Sequence, residues 1–189
     1  NDRRGGLKVL LNMPPLGIDF ICVPPAALLS VSEAASVYQA ALNVAEKNKA
    51  MLLVDAPSVT GVTNPVTALT QWASDINLDS PNAAFYAPRV MRAGASSPSL
   101  PASAVAAGVA ARIDIARGVW KAPAGTEASV RGAEPEVTIS NSDSEILNPA
   151  GVNPIRNFAG AGTVIWGSRT LSSDPEWKYV PVRRTALFI

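Results

Sequence analysis

The sequence predicts an α/β domain: a mainly parallel sheet flanked by helices, with a short β-containing excursion. Three observations carry this. Short apolar runs alternate three times with helix-length amphipathic segments, the pattern of a sheet covered on both faces. The links between them are short, as in consecutive strand–helix units. At 189 residues the chain is long enough for one such domain with a proper core.

The elements follow in order. Phe20–Pro25 (FICVPP) reads as a short buried strand stopped by prolines. Ser30 and Glu33 then form an S-x-x-E capping box, and Val31, Ala34, Tyr38, Ala41, Leu42 and Ala45 share one helical face. Lys47 and Lys49 suit the C-terminal turn of that helix. Ala50–Pro57 (AMLLVDAP) is an unbroken apolar run, suited to a strand buried on both faces. Asn64 and Pro65 open the next helix as cap and first residue, with Leu69, Trp72, Ala73 and Ile76 as its apolar stripe. Ala83–Val90 is the third strand. A third helix runs from Pro101 to about Ile115 with Val105, Val109 and Ile113 inward. Ala122–Asn148, rich in Gly, Pro, Glu and Ser, reads as an excursion whose one strand is PEVTIS. Asn148–Gly160 reads as a short helix or turn series, and Thr163–Leu171 as a returning strand.

Composition narrows the function. Apolar residues make up 48% and charged residues 16%, below the usual quarter or so for charge. Part of the surface is therefore expected to be covered by partners. A net charge of +1 gives no general attraction to nucleic acid or anionic membrane. With no histidine in the chain, a Ser-His-Asp or Cys-His arrangement cannot be built within it. Cys22, the single cysteine, sits in an apolar run and reads as a buried thiol. No apolar run reaches the roughly 18 residues of a membrane span. The start has no signal-peptide pattern, and position 1 is Asn, so the chain reads as a piece of something longer.

Searches for chemistry return little. GAGTVIWG is not a dinucleotide-binding fingerprint and precedes a strand instead of following one. A metal site would have to be all-carboxylate, and SNSDSE, with Asp143 and Glu145, reads more simply as a solvated turn. Asp55 ends a strand on the side of the sheet where ligands bind in open α/β folds. It is the carboxylate of an alternative reading, an α/β hydrolase-like enzyme, against the plainer role of bonding the following loop. Asp114 lies among Arg112 and Arg117 and is expected in an ion pair. The aromatic and basic stretch from Gly162 to Thr185 could suit stacked bases, but Asp174 and Glu176 interrupt it.

Two blocks carry more information. Leu100–Gly125 reads LPASAVAAGVAARIDIARGVWKAPAG, and Leu147–Thr185 reads LNPAGVNPIRNFAGAGTVIWGSRTLSSDPEWKYVPVRRT. Both resemble the contractile tail sheath proteins of bacteriophages and related injection particles. The family's P-x-S, A-G-x-x-A-R-x-D and R-G-V-W-K-A-P-A patterns fall on Pro101, Ser103, Ala107, Gly108, Ala111, Arg112, Asp114 and Arg117–Ala124. Its later L-N, N-x-I-R, W-G-x-R-T-L, W-x-Y-V and R-R patterns fall on Leu147, Asn148, Asn153, Ile155, Arg156, Trp166–Leu171, Trp177, Tyr179, Val180, Arg183 and Arg184.

The resemblance implies a subtilisin-like sheath core without protease activity, over residues 1–171, and the incomplete start of a C-terminal sheath region over 172–189. It implies no catalytic residue, cofactor or metal. It implies subunits that stack, as hexameric rings in the full-length protein, around a tail tube above a baseplate. They would assemble in the host cytoplasm into a virion tail whose contraction drives the tube through the envelope. Neither nucleic acid binding nor membrane insertion is implied. The sheath of a related contractile injection system is a second form of the same reading.

Guanidinium groups suit contacts that break and reform between two arrangements. Arg112, Arg117, Arg156, Arg169, Arg183 and Arg184, with Lys121, Trp120 and Trp177, are therefore the candidate subunit-interface or junction residues. Trp120 fits either core packing or an interface. Gly108 is expected to allow close approach of a backbone, that of the sheet beneath its helix. Trp166 and Trp177 are expected to anchor the junction toward the C-terminal region.

Overall fold

The computed structural model describes residues 6–10, 17–92, 94 and 98–189; Asn1 lies outside them. After a single helical turn, α1 (Leu7–Leu10), β1 (Phe20–Cys22) enters the sheet and Pro24–Leu28 turns out of it as a 3-10 helix. The predicted alternation follows, with α2 (Val31–Lys47), β2 (Met51–Val54), α3 (Pro65–Ile76), β3 (Ala83–Ala87) and α4 (Ala102–Arg117), except that the expected strand Ala83–Val90 stops at Ala87 and Val90 begins β4 (Val90–Arg92), outside the main sheet. The expected caps are in place. The Ser30 N–H donates to Glu33 at 3.2 Å, and the Thr67 N–H to the Asn64 side chain at 3.1 Å.

The second half departs from expectation in four places. The excursion's strand, β5 (Ala133–Pro135), ends where PEVTIS begins and pairs antiparallel with β4 in a separate ribbon. SNSDSE is not a solvated turn but a helix, α5 (Asn141–Leu147), opened by a Ser140–Asp143 capping box. Asn148–Gly160 is mostly strand: β6 (Val152–Phe158). The returning strand, β7 (Gly162–Ile165), is shorter than expected, and the chain closes with a 3-10 turn (Pro175–Trp177) and α6 (Val180–Phe188).

Pro154 explains why β6 is hard to see. A proline in a strand interior removes a ladder donor. Here it stands opposite Ala87, where the parallel pairing with β3 ends. The antiparallel pairing with β7 begins one residue later, at Ile155 opposite Ile165. The missing N–H falls at the change of partner, while the Pro154 carbonyl accepts from the Trp166 N–H at 2.7 Å.

The sheet order is β1-β2-β3-β6-β7, with the first four strands parallel and β7 antiparallel to its neighbour. Side chains alternate between two cores. Leu52, Val54 and Phe85 face α2, α3 and α5, where Tyr38, Leu42, Leu69, Trp72 and Leu147 pack on them. Met51, Leu53, Ala84 and Tyr86 face α4, against Ala106, Val109 and Ile113. All residues of β2 and β3 are buried, which is why both strands read as unbroken apolar runs.

Candidate subunit interface

The candidate charges divide by burial. Arg184, on α6, is buried, and its two terminal nitrogens donate to the two Asp114 oxygens at 2.8 and 2.5 Å. Its guanidinium also lies 4.6 Å above the Phe20 ring. Asp114 is thus paired as expected, but with Arg184 in place of Arg112 or Arg117. Arg183 stacks on Trp177 at 5.0 Å and donates to the Asn82 side chain at 2.9 Å. Arg156, on β6, is also buried. It donates to the Ile139 carbonyl and the Asn141 side chain, each at 2.9 Å, and covers the Phe158 ring at 4.5 Å. Burial pushes its pKa down, although an arginine keeps its charge at any ordinary pH. These three arginines tie α6 and β6 to the body.

The others face outward. Arg117, in the last turn of α4, donates to both Glu127 oxygens at 3.0 Å, with Lys121 3.8 Å from the same carboxylate. The Arg117 and Glu127 side chains are about half exposed, so the pair adds little to folding, roughly 0–1 kcal/mol. Arg112 donates to the Ser129 carbonyl at 2.6 Å and is otherwise in solvent. Arg169 lines two shallow grooves, and among the described residues its guanidinium has no hydrogen bond or ion pair. Trp166 is partly exposed and tilted against Phe158 at 4.7 Å.

Trp120 is 67% exposed, so core packing does not hold it. Gly118 does: its φ is +97°, and a Cβ there would meet the Trp120 ring at 2.3–2.6 Å. Gly118→Ala is expected to cost about 1–2 kcal/mol from the left-handed backbone alone and to move the indole. A lowered urea midpoint and a shifted tryptophan emission maximum would report the two effects together. Gly108 behaves differently from expectation. It is exposed, and a Cβ built on it meets nothing within 4 Å, so it faces away from the sheet.

Residues 7–171 match the phage tail sheath protein central domain. The chain belongs to the phage tail sheath family. It is 29% identical over 189 residues to a protein named as a prophage major tail sheath protein in Pseudomonas aeruginosa (strain UCBPP-PA14), covering 96% of this chain and 46% of that one. It also resembles the sheath complex of an extracellular contractile injection system, PVC, in the contracted state. The TM-score is 0.66 with 33% identity, over 79% of this chain and 41% of that chain. The helical sheath of the anti-feeding prophage in its contracted state matches with a TM-score of 0.60 and 37% identity, over 82% and 41%. The chain thus spans a little under half the length of these relatives.

Within this sheath domain Asp55 is a structural residue with no exposed surface. Its carboxylate accepts from the Ser103 N–H at 2.8 Å and the Ser103 hydroxyl at 2.5 Å, at the start of α4. Its backbone carbonyl accepts from the Trp72 indole at 3.0 Å. It does not bond the following loop. That role falls to Glu136, which no motif or spacing singles out. The Glu136 carboxylate accepts from the Ser58 hydroxyl and the Val59 N–H, each at 2.8 Å, and from the Thr60 hydroxyl at 3.3 Å. Cys22, half-buried beside Ser103, has its thiol pKa pushed up by burial.

Burial also raises the Asp55 pKa above its ordinary 3.8, against the two Ser103 bonds and Arg89. The folded state therefore binds the Asp55 proton more tightly than the unfolded state does. That contribution to stability is fullest below the unfolded pKa and is lost as pH rises through the folded pKa. Urea midpoints across a pH series should show the wild-type stability, relative to Asp55→Asn, falling as pH climbs from about 4. A difference independent of pH would refute this.

Proposed function

We propose that this chain is the central domain of a structural sheath subunit that polymerises around a tail tube and contracts to drive the tube through a host envelope. The observation that carries this is the family match over residues 7–171. Tube and baseplate proteins are the expected partners, with assembly in the host cytoplasm before the particle is complete. The work of contraction comes from a metastable lattice of subunits and not from catalysis. Of the candidate interface residues, Arg112, Arg117 and Trp120 are exposed and Lys121 and Arg169 partly so, which supports them as the ones that meet a neighbour. Arg156, Trp177, Arg183 and Arg184 act as the junction that holds β6 and α6 in place.

The test is assembly of the full-length protein. Expressed alone, it is expected to form tubes visible by electron microscopy, in which Trp120→Ala and Arg169→Glu reduce tube formation without altering thermal unfolding. A full-length protein that stays monomeric across salt and temperature would overturn the proposal.

A further inference from the structure

Among the described residues, the outer face of α4 is largely apolar and uncovered, with Arg112 its one charge between Leu100 and Ile115. Leu100, just before the helix, is 45% exposed, and Ile115 is 90% exposed. Between them Ala104, Gly108 and Ala111 are exposed at helical spacing. The inner face is apolar too, with Ala102, Ala106, Val109 and Ile113 buried. Apart from Ser103, Arg112, Asp114 and Arg117 the helix is apolar on both faces, and apolar helix surface is ordinarily covered.

Gly108 sharpens the point. Glycine weakens a helix interior, and among the described residues no atom requires it there, since a Cβ would meet nothing within 4 Å. What glycine permits is the close approach of another backbone. Beside it runs a groove between α4 and residues 129–133, with Val105 and Val109 in its floor. Arg92, Arg112 and Arg131 line it, and no acidic residue does among the described residues. The group that fits is an apolar side chain next to a carboxylate.

This chain carries such a pair on the other side of its sheet. On α5, which packs with α3 on the face opposite α4, Ile146 is 56% exposed and Glu145 beside it is exposed. Arg156 and Arg169 line the groove next to Glu145, but among the described residues none forms an ion pair with it.

We propose that the outer face of α4 receives α5 of a second copy of this chain, with Ile146 against Gly108 and Val105 and Glu145 facing Arg112 and Arg131. The two patches differ and lie on opposite sides of the sheet, so the contact is head-to-tail. Such contacts propagate into rings or helical arrays. This rests on the sheath reading above and names one of the contacts that would build the lattice.

The test uses the assembled full-length protein carrying Gly108→Cys and Ile146→Cys together. Oxidation is expected to give a ladder of disulfide-linked oligomers on a non-reducing gel. Each single variant, like the wild type, gives no ladder. Gly108→Leu is expected to hold or raise the unfolding midpoint, since it removes a helix-interior glycine, and to lower the assembled fraction at least tenfold. Tubes seen by microscopy with no ladder from the double variant would overturn the α4–α5 contact and leave the sheath reading standing. A wild type that forms no tubes would overturn both.

Discussion

Asp114→Ala is expected to destabilise the domain by about 3–5 kcal/mol, because it leaves a buried guanidinium without its counter-charge. The Arg184 side chain is 5% exposed and that of Asp114 18% exposed. Both guanidinium–carboxylate bonds are short and parallel, the geometry in which arginine pairs are strongest. With the carboxylate gone, Arg184 keeps, among the described residues, the face of Phe20. The cost comes from the unpaired charge and not from the pair itself. Replacing both residues, Asp114→Leu with Arg184→Met, should therefore restore most of the loss. Urea midpoints for the two singles and the double measure the coupling as a cycle. A single-variant loss below about 1 kcal/mol would mean the guanidinium finds water instead, as exposed pairs do. The pair joins α6 to the end of α4, so hydrogen exchange in the Asp114→Ala variant should rise first in Val180–Phe188.

The first half of the fold was legible because its signals are local. An apolar strand buried on both faces, a capping box and a proline at the first helical position each announce themselves within a few residues. The second half depends on partners distant in sequence. β6 holds a proline that only its change of neighbour tolerates, so no window around Asn148–Gly160 reads as a strand. α5 is one short helix whose cap, Ser140 with Asp143, lies inside a polar run that resembles a turn.

The candidate site was legible in composition but not in arrangement. Arginine type and spacing mark Arg112, Arg117, Arg156, Arg169, Arg183 and Arg184 alike, yet burial separates them. Arg184 finds Asp114 seventy positions away, a distance at which spacing says nothing. Close approach to the sheet is the expectation for Gly108 because the alanines around it make the whole helix thin. With Ala102, Ala106 and Ala110 already lining the inner face, helical geometry places Gly108 outward. An apolar outer face on a chain with few charges is the same fact that the 16% charged fraction expressed at the start.

Asn153→Ala is expected to cost a comparable amount, about 3–5 kcal/mol, as the sum of buried backbone groups left unpaired at roughly 1–3 kcal/mol each. Asn153 is fully buried on β6. Its amide nitrogen donates to the Phe85 carbonyl at 3.0 Å and the Arg169 carbonyl at 2.8 Å, and its oxygen accepts from the Arg169 N–H at 2.6 Å. The side chain thus does for residues 167–169 what a neighbouring strand would do. It fixes the segment that carries Arg169 beyond the end of β7. Gly167 completes the arrangement, since a Cβ there would stand 2.9 Å from both the Cα and the side-chain oxygen of Asn153. Gly167→Ala should therefore weaken the same bonds by pushing the segment away, at the roughly 1–3 kcal/mol typical of overpacking. The two changes act on one contact, so the double variant should fall short of the sum of the singles. Asn153→Asp separates the terms, because it keeps the acceptor for the Arg169 N–H and loses both donated bonds. Additive losses in the double variant, or an Asn153→Ala midpoint within error of wild type, would show that Arg169 is positioned by something other than this amide.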